Sequence, residues 1–174
     1  MTLSIRDARP DERAAVNELT LRAYAEYATI MSPAAWAGLE AAMRSALASD
    51  ERAERIVALR DETLLGSVML YPASADAYSG AVRRAGSPEV RLLAVAPEAR
   101  GLGVGRALMA ECVRRARNAG AIELGVHTSR SMQIAMRMYA RMGFVRVADS
   151  DFQPPGAELV QAYRLPLTEH STDR

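Results

Sequence analysis

One segment, residues 90–106, constrains the fold of this chain more than any other. It begins with an apolar run, VRLLAVA, that is typical of a buried strand, and a helical pattern follows after a short turn. The turn carries three alternate glycines, Gly101, Gly103 and Gly105. Because glycine lacks Cβ, the backbone of such a turn can take positive φ angles and approach a ligand closely. Its N–H groups, at the positive end of a helix dipole, favour a phosphate or pyrophosphate, and two flanking arginines add fixed positive charge.

The spacing of these glycines excludes two common phosphate-binding motifs. A dinucleotide-binding fingerprint needs glycine at its sixth position, and counting from Gly103 places Leu108 there. A P-loop needs a lysine before Ser or Thr, and the chain contains no lysine. What remains is the pattern Arg100-x-x-Gly103-x-Gly105, with a strand before it and a helix after it.

This pattern resembles the cofactor motif of the GNAT family of acetyl-CoA-dependent N-acetyltransferases, Gln/Arg-x-x-Gly-x-Gly/Ala. A second family block, Leu-Tyr-x-x-x-Gly-Phe, is similar to residues 138–144, where Met138 replaces the leucine before Tyr139. The resemblance covers roughly residues 6–165, and its specific motifs lie within residues 89–144. An ordinary glycine-rich connection would explain the first block but would leave the second unexplained.

Composition places the chain among ordinary globular proteins and excludes several classes of function. Its 174 residues are enough for one domain with a sizeable core, and 49% of them are apolar. A formal charge of +1 gives no reason to expect nucleic acid or an anionic membrane as a partner. Cys112 is the single cysteine, so no internal disulfide can form, and no spacing typical of zinc ligands occurs. The N-terminus lacks the apolar stretch of a signal peptide and no apolar run approaches the length of a membrane span, so we expect a cytoplasmic protein.

Hydrophobic periodicity predicts one α/β domain over residues 1–168 and a polar tail over residues 169–174. The predicted order is β-α-α-β-β-β-α-β-α-β-β. Strands are expected at residues 3–6, 55–59, 63–71, 89–95, 122–126, 144–147 and 158–165, and a loop at residues 72–88. A first helix is expected to begin at residue 10, and its apolar stripe reaches Tyr27. A second helix is expected to begin at residue 32, and two more are expected over residues 103–119 and 131–142. The resemblance implies a mixed, largely antiparallel sheet with a splayed central strand pair and flanking helices.

The resemblance also implies acetyl-CoA as co-substrate and no metal. The pantetheine arm of the cofactor would bind free backbone groups of the splayed strand at Leu93, Ala94 and Val95. The pyrophosphate would bind the turn formed by Arg100, Gly101, Leu102, Gly103, Val104, Gly105 and Arg106.

Three side chains are candidates for acid–base chemistry. Tyr139 occupies the position of the family's usual general acid, and a phenol is well matched to protonating a departing thiolate. Glu89, at the start of the central strand, occupies a position where several members carry a general base, and His127 is the alternative base. A core tyrosine and a solvated glutamate are the structural alternatives. Met132 departs from the family, because many members carry a cofactor-binding Asn at this position.

The acceptor site is predicted from the regions that border it in this fold, which are the first two helices and the loop before the last strand. They offer Tyr24, Tyr27, Trp36, Asp149 and Asp151. Acids beside aromatic rings suit a cationic amine, although an acidic loop is also a common solvated surface.

Several functions therefore compete. The leading one is transfer of an acetyl group from acetyl-CoA to a primary amine of a small metabolite, with a peptide or protein amine as the alternative acceptor. A non-catalytic acyl-CoA-binding module would have no need of Glu89 or Tyr139. A structural subunit of a larger assembly would expose a large apolar patch. The sequence leaves the oligomeric state open and allows a homodimer.

Overall fold

The computed structural model describes residues 2–49, 52–74 and 86–168. One seven-stranded sheet has the order β1-β2-β3-β4-β5-β7-β6. Every neighbouring pair is antiparallel except β4 and β5, which run parallel. The strands are β1 Ser4–Asp7, β2 Glu54–Arg60, β3 Thr63–Tyr71, β4 Glu89–Val95, β5 Glu123–Thr128, β6 Val145–Arg146 and β7 Gln161–Pro166.

Helices pack on both faces of this sheet. They are α1 Arg13–Tyr24, α2 Tyr27–Ile30, α3 Pro33–Ser49, α4 Val104–Asn118 and α5 Gln133–Arg141. The start of α3 follows from its sequence, because the Ser32 hydroxyl accepts a hydrogen bond from the Ala35 N–H at 3.3 Å and Pro33 has no N–H to satisfy. Within the described residues, no helix is long and apolar enough to cross a membrane.

The parallel pair at the centre of the sheet is short. Glu89 pairs with Gly125 and Val90 pairs with Val126, and the register of β4 and β5 extends no further. Past this point β4 stays paired with β3 while β5 stays paired with β7. The two strands therefore splay apart, and backbone groups on their facing edges are left for a ligand.

A bulge in β4 contributes to this separation. Ser67 lies opposite Ala94 and Met69 lies opposite Arg91, so β4 places one more residue than β3 between these two pairs. Leu92 lies in this stretch with a φ of 51°, which is rare for a residue other than glycine. A bulge bends its strand and increases its twist, which turns the second half of β4 away from β5.

Of three buried clusters, the two larger ones hold α3 and α4 against the sheet. The larger joins the sheet to α4, where Leu108, Met109 and Cys112 are fully buried. The smaller joins α3 to the opposite face through Met43 and Tyr71. Cys112 is therefore a packed core residue, and burial raises the pKa of its thiol to about 12.

The predicted order of strands and long helices is confirmed, and some boundaries are wrong. The first helical stripe does not continue to Tyr27, because α1 ends at Tyr24 and Tyr27 begins the separate helix α2. The strand predicted from residue 158 begins at Gln161, and the one predicted from residue 122 begins at Glu123. The predicted tail at 169–174 and most of the predicted loop at 72–88 lie outside the described residues.

Candidate active site

A cleft of about 1280 Å³ opens where β4 and β5 separate. Residues 90–95 of β4, the end of β5 and the glycine turn line it. The other lining residues come from α1, α2, α3 and α5 and from the segment 152–160 before β7. One continuous space thus connects the predicted pyrophosphate turn with the predicted acceptor region.

The glycine turn has the geometry that its sequence predicts. Gly101 and Gly103 have φ angles of 76° and 79°, in the left-handed region that glycine adopts without strain. The N–H groups of Val104, Gly105 and Arg106 belong to the first turn of α4, where no intrahelical acceptor exists. These donors lie on the cleft lining at the positive end of the helix dipole, an arrangement that can bind an anion.

Gly105 has a different reason to lack a side chain. A Cβ built there would lie 3.5 Å from Val95 Cγ2 and 3.7 Å from Met138 Sδ, which are ordinary contacts. Its φ is not in the left-handed region, so the fold tolerates a side chain at this position. Because Gly105 lines the cleft, a larger residue would instead take space from a bound ligand.

The two arginines that flank the turn differ in their contacts. Arg100 donates to Glu26 Oε2 at 2.6 Å and to the Ala23 carbonyl at 3.0 Å, which ties the turn to the end of α1. Arg106 is exposed at the start of α4. Both line the cleft, whereas Leu102 is 52% exposed and lies off the lining. The remaining predicted cofactor-binding residues of β4 and of the turn all line it.

Tyr139 lies on the buried face of α5 and lines the cleft. Its ring packs against Phe144 with 5.4 Å between centroids, so the second sequence block forms one local unit. Burial raises the pKa of the Tyr139 phenol well above its usual value, and the neighbouring Tyr24 raises it further. The phenol therefore keeps its proton at neutral pH, as a general acid must.

Glu89 and His127 are brought together rather than separated. Glu89 Oε1 lies 2.5 Å from His127 Nδ1, and Glu89 Oε2 accepts a hydrogen bond from Arg164 Nη1 at 3.1 Å. Glu89 is buried and absent from the cleft lining, whereas His127 is on it. Gly125 makes room for this cluster, since a Cβ there would lie 2.1 Å from both Arg164 Nη1 and Glu89 Oε2. Sequence reasoning missed Arg164, which is distant along the chain and has no motif to mark it.

The predicted acceptor residues divide into two groups. Tyr24 and Tyr27 line the cleft, with 5.7 Å between their ring centroids. Trp36, Asp149 and Asp151 are not on its lining. Trp36 packs beside the smaller core cluster, and Asp149 is exposed. Asp151 is held by Arg146, whose hydrogen bond lowers the pKa of its carboxyl, and it also accepts the Ala162 N–H at 2.9 Å. An acceptor role for these three stays a prediction that their positions do not favour.

Three polar side chains on the cleft were missed by sequence reasoning. Glu158, from the segment before β7, accepts a hydrogen bond from the Ser131 hydroxyl through Oε1. Within the described residues, Glu158 Oε2, Thr128 Oγ1 and Ser129 Oγ are buried without a hydrogen-bond partner. A buried polar atom left unpaired costs about 1–3 kcal/mol, so these three residues give the cleft a polar stretch of lining at an energetic cost. Thr128 and Ser129 lie far from Glu158 in the sequence, and no sequence motif links the two segments.

The sequence matches the model of the acetyltransferase (GNAT) family over residues 14–144. This chain belongs to the GNAT acetyltransferase family. Within the described residues, no cluster of three or more His, Cys, Asp or Glu side chains is placed to hold a metal ion.

A curated relative is the mycothiol acetyltransferase of Cellulomonas flavigena, which is 37% identical over 105 residues. That alignment covers 59% of this chain and 30% of the relative. The match therefore spans less than a third of the relative's length.

Solved structures of GNAT proteins have the same fold. The PaiA N-acetyltransferase of Thermoplasma acidophilum, in complex with coenzyme A, has a TM-score of 0.69 at 18% identity, over 95% of this chain and all of that one. YncA of Salmonella typhimurium, solved with its cofactor acetyl-CoA, has a TM-score of 0.64 at 19% identity, over 100% of this chain and 99% of that one.

Proposed function

We propose that this chain is an acetyl-CoA-dependent N-acetyltransferase that acetylates a primary amine of a small metabolite. The observation that carries the proposal is the single cleft that joins unpaired helix N–H groups at the glycine turn to a buried tyrosine beside the splayed strands. Family membership supports the acetyl donor. The name of the curated relative supports acetyl transfer and leaves the acceptor of this chain unidentified.

The cofactor is assigned to the side of the cleft nearest α4. The turn from Arg100 to Arg106 would hold the pyrophosphate through its N–H groups and positive charge. Leu93, Ala94 and Val95 would bind the pantetheine arm through backbone groups that β5 does not use. This places the thioester near the opening between β4 and β5, with a backbone N–H near Leu93 facing its carbonyl oxygen.

The chemistry needs a proton acceptor and a proton donor. The amine nitrogen attacks the thioester carbonyl carbon, the C–S bond breaks, and an N–H proton must leave. We assign the protonation of the departing thiolate to Tyr139, whose buried phenol is kept in its acid form. Glu89, with His127 as the alternative, is the assigned base.

We assign the acceptor to three residues of the cleft lining, Tyr24, Tyr27 and Glu158. Of the two carboxylates on the lining, that of Glu26 is engaged by Arg100, whereas Glu158 has no ion pair within the described residues. A carboxylate attracts an ammonium group, and aromatic rings add a favourable surface for a cation. These groups favour a small cationic amine.

Calorimetry with acetyl-CoA tests the binding half of the proposal. Gly105→Val should lower the affinity at least tenfold, because Gly105 lines the cleft and a larger side chain would take space from the bound ligand. Gly38→Ala is the matched control: it adds a Cβ on α3, on the lining of the same cleft, where nothing lies within 4 Å, and should leave the affinity unchanged.

A free-thiol release assay with amines, amino acids and peptides tests the reaction. Release of coenzyme A that depends on a small amine supports the proposal. Tight binding of acetyl-CoA without release for any acceptor would instead favour the non-catalytic binding module, and release with peptides alone would favour a protein acceptor.

A further inference from the structure

Acceptor oxygens face both ring nitrogens of His127. Nδ1 lies 2.5 Å from Glu89 Oε1, and Nε2 lies 3.0 Å from the carbonyl oxygen of Ser150. A carbonyl oxygen only accepts hydrogen bonds, so Nε2 must carry a hydrogen. A neutral imidazole has one N–H, so the short contact with Glu89 requires one more hydrogen, either on Nδ1 or on the carboxyl group.

We infer that Glu89 and His127 form one proton-sharing unit, and that this unit, rather than either side chain alone, takes the proton of the acceptor amine. The second part of this inference rests on the acetyltransferase function proposed above. The sequence leaves the two residues as competing bases, whereas the 2.5 Å contact makes their protonation states inseparable.

Charged groups on three neighbouring elements surround the unit. Arg164 of β7 holds the second oxygen of Glu89, and its Nε lies 3.8 Å from Glu123 Oε1 of β5. Asp151, which follows β6, is near enough for His127 to help lower the pKa of its carboxyl after the larger effect of Arg146. The side chains of His127 and Glu89 are 1% and 8% exposed. A buried cluster of charged groups is stable only when opposite charges are paired. In this cluster each acid lies beside a basic group.

The unit receives a proton from the amine and later passes it to Tyr139. In the empty unit, Glu89 is a carboxylate and His127 is neutral with its hydrogen on Nε2. The acceptor ammonium first releases one proton to bulk solvent. A second proton then passes from the amine nitrogen through the solvent of the cleft to the unit as the N–C bond forms. Tyr139 gives its proton to the departing thiolate, and the proton of the unit then restores the phenol. The electrostatic effect of Glu89 on Tyr139, which helps to raise the pKa of the phenol, is consistent with their proximity.

The empty unit has a structural consequence. Without the shared proton, the lone pair of Nδ1 would point at a carboxylate oxygen, which is repulsive, so the contact between Nδ1 and Glu89 must lengthen. Nε2 keeps its bond to Ser150, and Glu89 keeps its bond to Arg164. The predicted difference between the loaded and empty forms therefore lies at the contact between Nδ1 and Glu89.

Nitrogen-15 NMR of the imidazole rings tests the sharing directly and needs no acceptor. The chain has two histidines, so His170→Ala leaves His127 as the only ring signal. At low pH both nitrogens of His127 should carry hydrogen, and as the pH rises the Nδ1 hydrogen should be lost while that of Nε2 remains. In Glu89→Gln, the Nδ1 hydrogen should be lost at a lower pH, because the amide cannot share the proton as the carboxylate does. The inference would be overturned if the ring stays singly protonated at every pH, or if the wild type and Glu89→Gln lose the Nδ1 hydrogen at the same pH.

Kinetics test whether the unit is the base. The acidic limb of kcat/KM should have the same midpoint as the NMR titration. Glu89→Gln, His127→Gln and the double variant should lose activity to a similar extent, since removing either partner disables the unit. Arg164→Lys should retain the limb. Losses of the two single variants that multiply in the double variant would mean that the two residues act independently, and a loss in only one single variant would assign the base to that residue; either result would overturn the shared unit. If no amine is acetylated at all, the proposed function fails while the NMR result still decides proton sharing.

Discussion

At the scale of the single residue, Tyr139 is the clearest test of catalysis. Tyr139→Phe keeps the ring that packs on Phe144 and removes only the proposed proton donor. We expect kcat to fall about 10²–10⁴-fold, the usual contribution of a general acid, with little change in the Kd for acetyl-CoA. Tyr163→Phe, which removes a half-buried hydroxyl off the cleft lining, is the control and should be neutral. An unchanged kcat in Tyr139→Phe would make Tyr139 a core residue.

Glu158 gives the residue-scale test of the acceptor. Glu158→Gln preserves size and removes the charge, so KM for a cationic amine should rise about tenfold while the Kd for acetyl-CoA stays the same. Asp149→Asn, an exposed acid off the cleft lining, is the matched control. If Asp149→Asn raises KM and Glu158→Gln does not, the acceptor lies where the sequence pattern first placed it.

The site residues that the sequence predicts differ from those that it misses in how far along the chain their partners lie. Features that depend on neighbours in the chain, such as the turn at Gly103 before a helix and the buried position of Tyr139 on α5, could be predicted from the sequence. Arg164 and Glu158 could not, because each meets its partner only after the sheet and the segment before β7 are in place. The same reason applies to the contact of Glu89 with His127, which needs the parallel pairing of β4 with β5.

At the scale of the element, the hairpin between β2 and β3 holds avoidable strain. Asp61 and Glu62 have φ angles of 49° and 63°, which is the type I′ turn that favours glycine in its second position. A residue other than glycine in the left-handed conformation costs about 1–2 kcal/mol. Glycine removes this cost but loses more backbone entropy on folding, which costs about 0.5–1 kcal/mol. Glu62→Gly should therefore raise the free energy of unfolding by about 0.5–1 kcal/mol in denaturant titrations. Glu62→Gln, which removes the charge but keeps the strain, should not.

Helix α4 is joined to the edge of the sheet by a network of ion pairs around Arg115. Arg115 contacts Asp7 of β1 and Glu54 of β2, each at 2.5 Å, as well as Glu111 of its own helix at 2.8 Å. The hydrogen bond from Arg114 and that from Arg115 lower the pKa of Glu111 to about 2.

The sign of the resulting pH dependence follows from that lowered pKa. A carboxyl whose pKa is lower in the folded state stabilises the fold above its ordinary pKa, and the contribution is lost as the pH falls toward about 2. The difference in unfolding free energy between the wild type and Glu111→Gln should be constant above pH about 4.5 and should disappear near pH 2. Glu18→Gln, at an exposed position of α1, should show no such difference at any pH. If the difference in unfolding free energy between the wild type and Glu111→Gln persists at low pH, its cause is lost packing and not the ion pair.

At the scale of the whole molecule, the cleft couples the cofactor to the stability of the fold. Its walls come from five helices and from the two strands at the centre of the sheet, so a ligand that fills it contacts nearly every layer. Binding to the folded state alone adds about 2.7 kcal/mol of stability at a ligand concentration of 100 Kd. For a domain of this size we expect acetyl-CoA to raise Tm on the order of 5–10 °C.

The variants of the glycine turn make this prediction specific. Gly105→Val should have nearly the Tm of the wild type without ligand, because the fold has room for a Cβ there, but should lose most of the increase with acetyl-CoA. Gly103→Val should lower Tm even without ligand, because a β-branched residue is strained at a φ of 79°. The two glycines of one motif are thus required for different reasons, one for the backbone and one for the ligand. Equal shifts with acetyl-CoA in the wild type and in Gly105→Val, measured by differential scanning calorimetry, would show that the cofactor binds elsewhere.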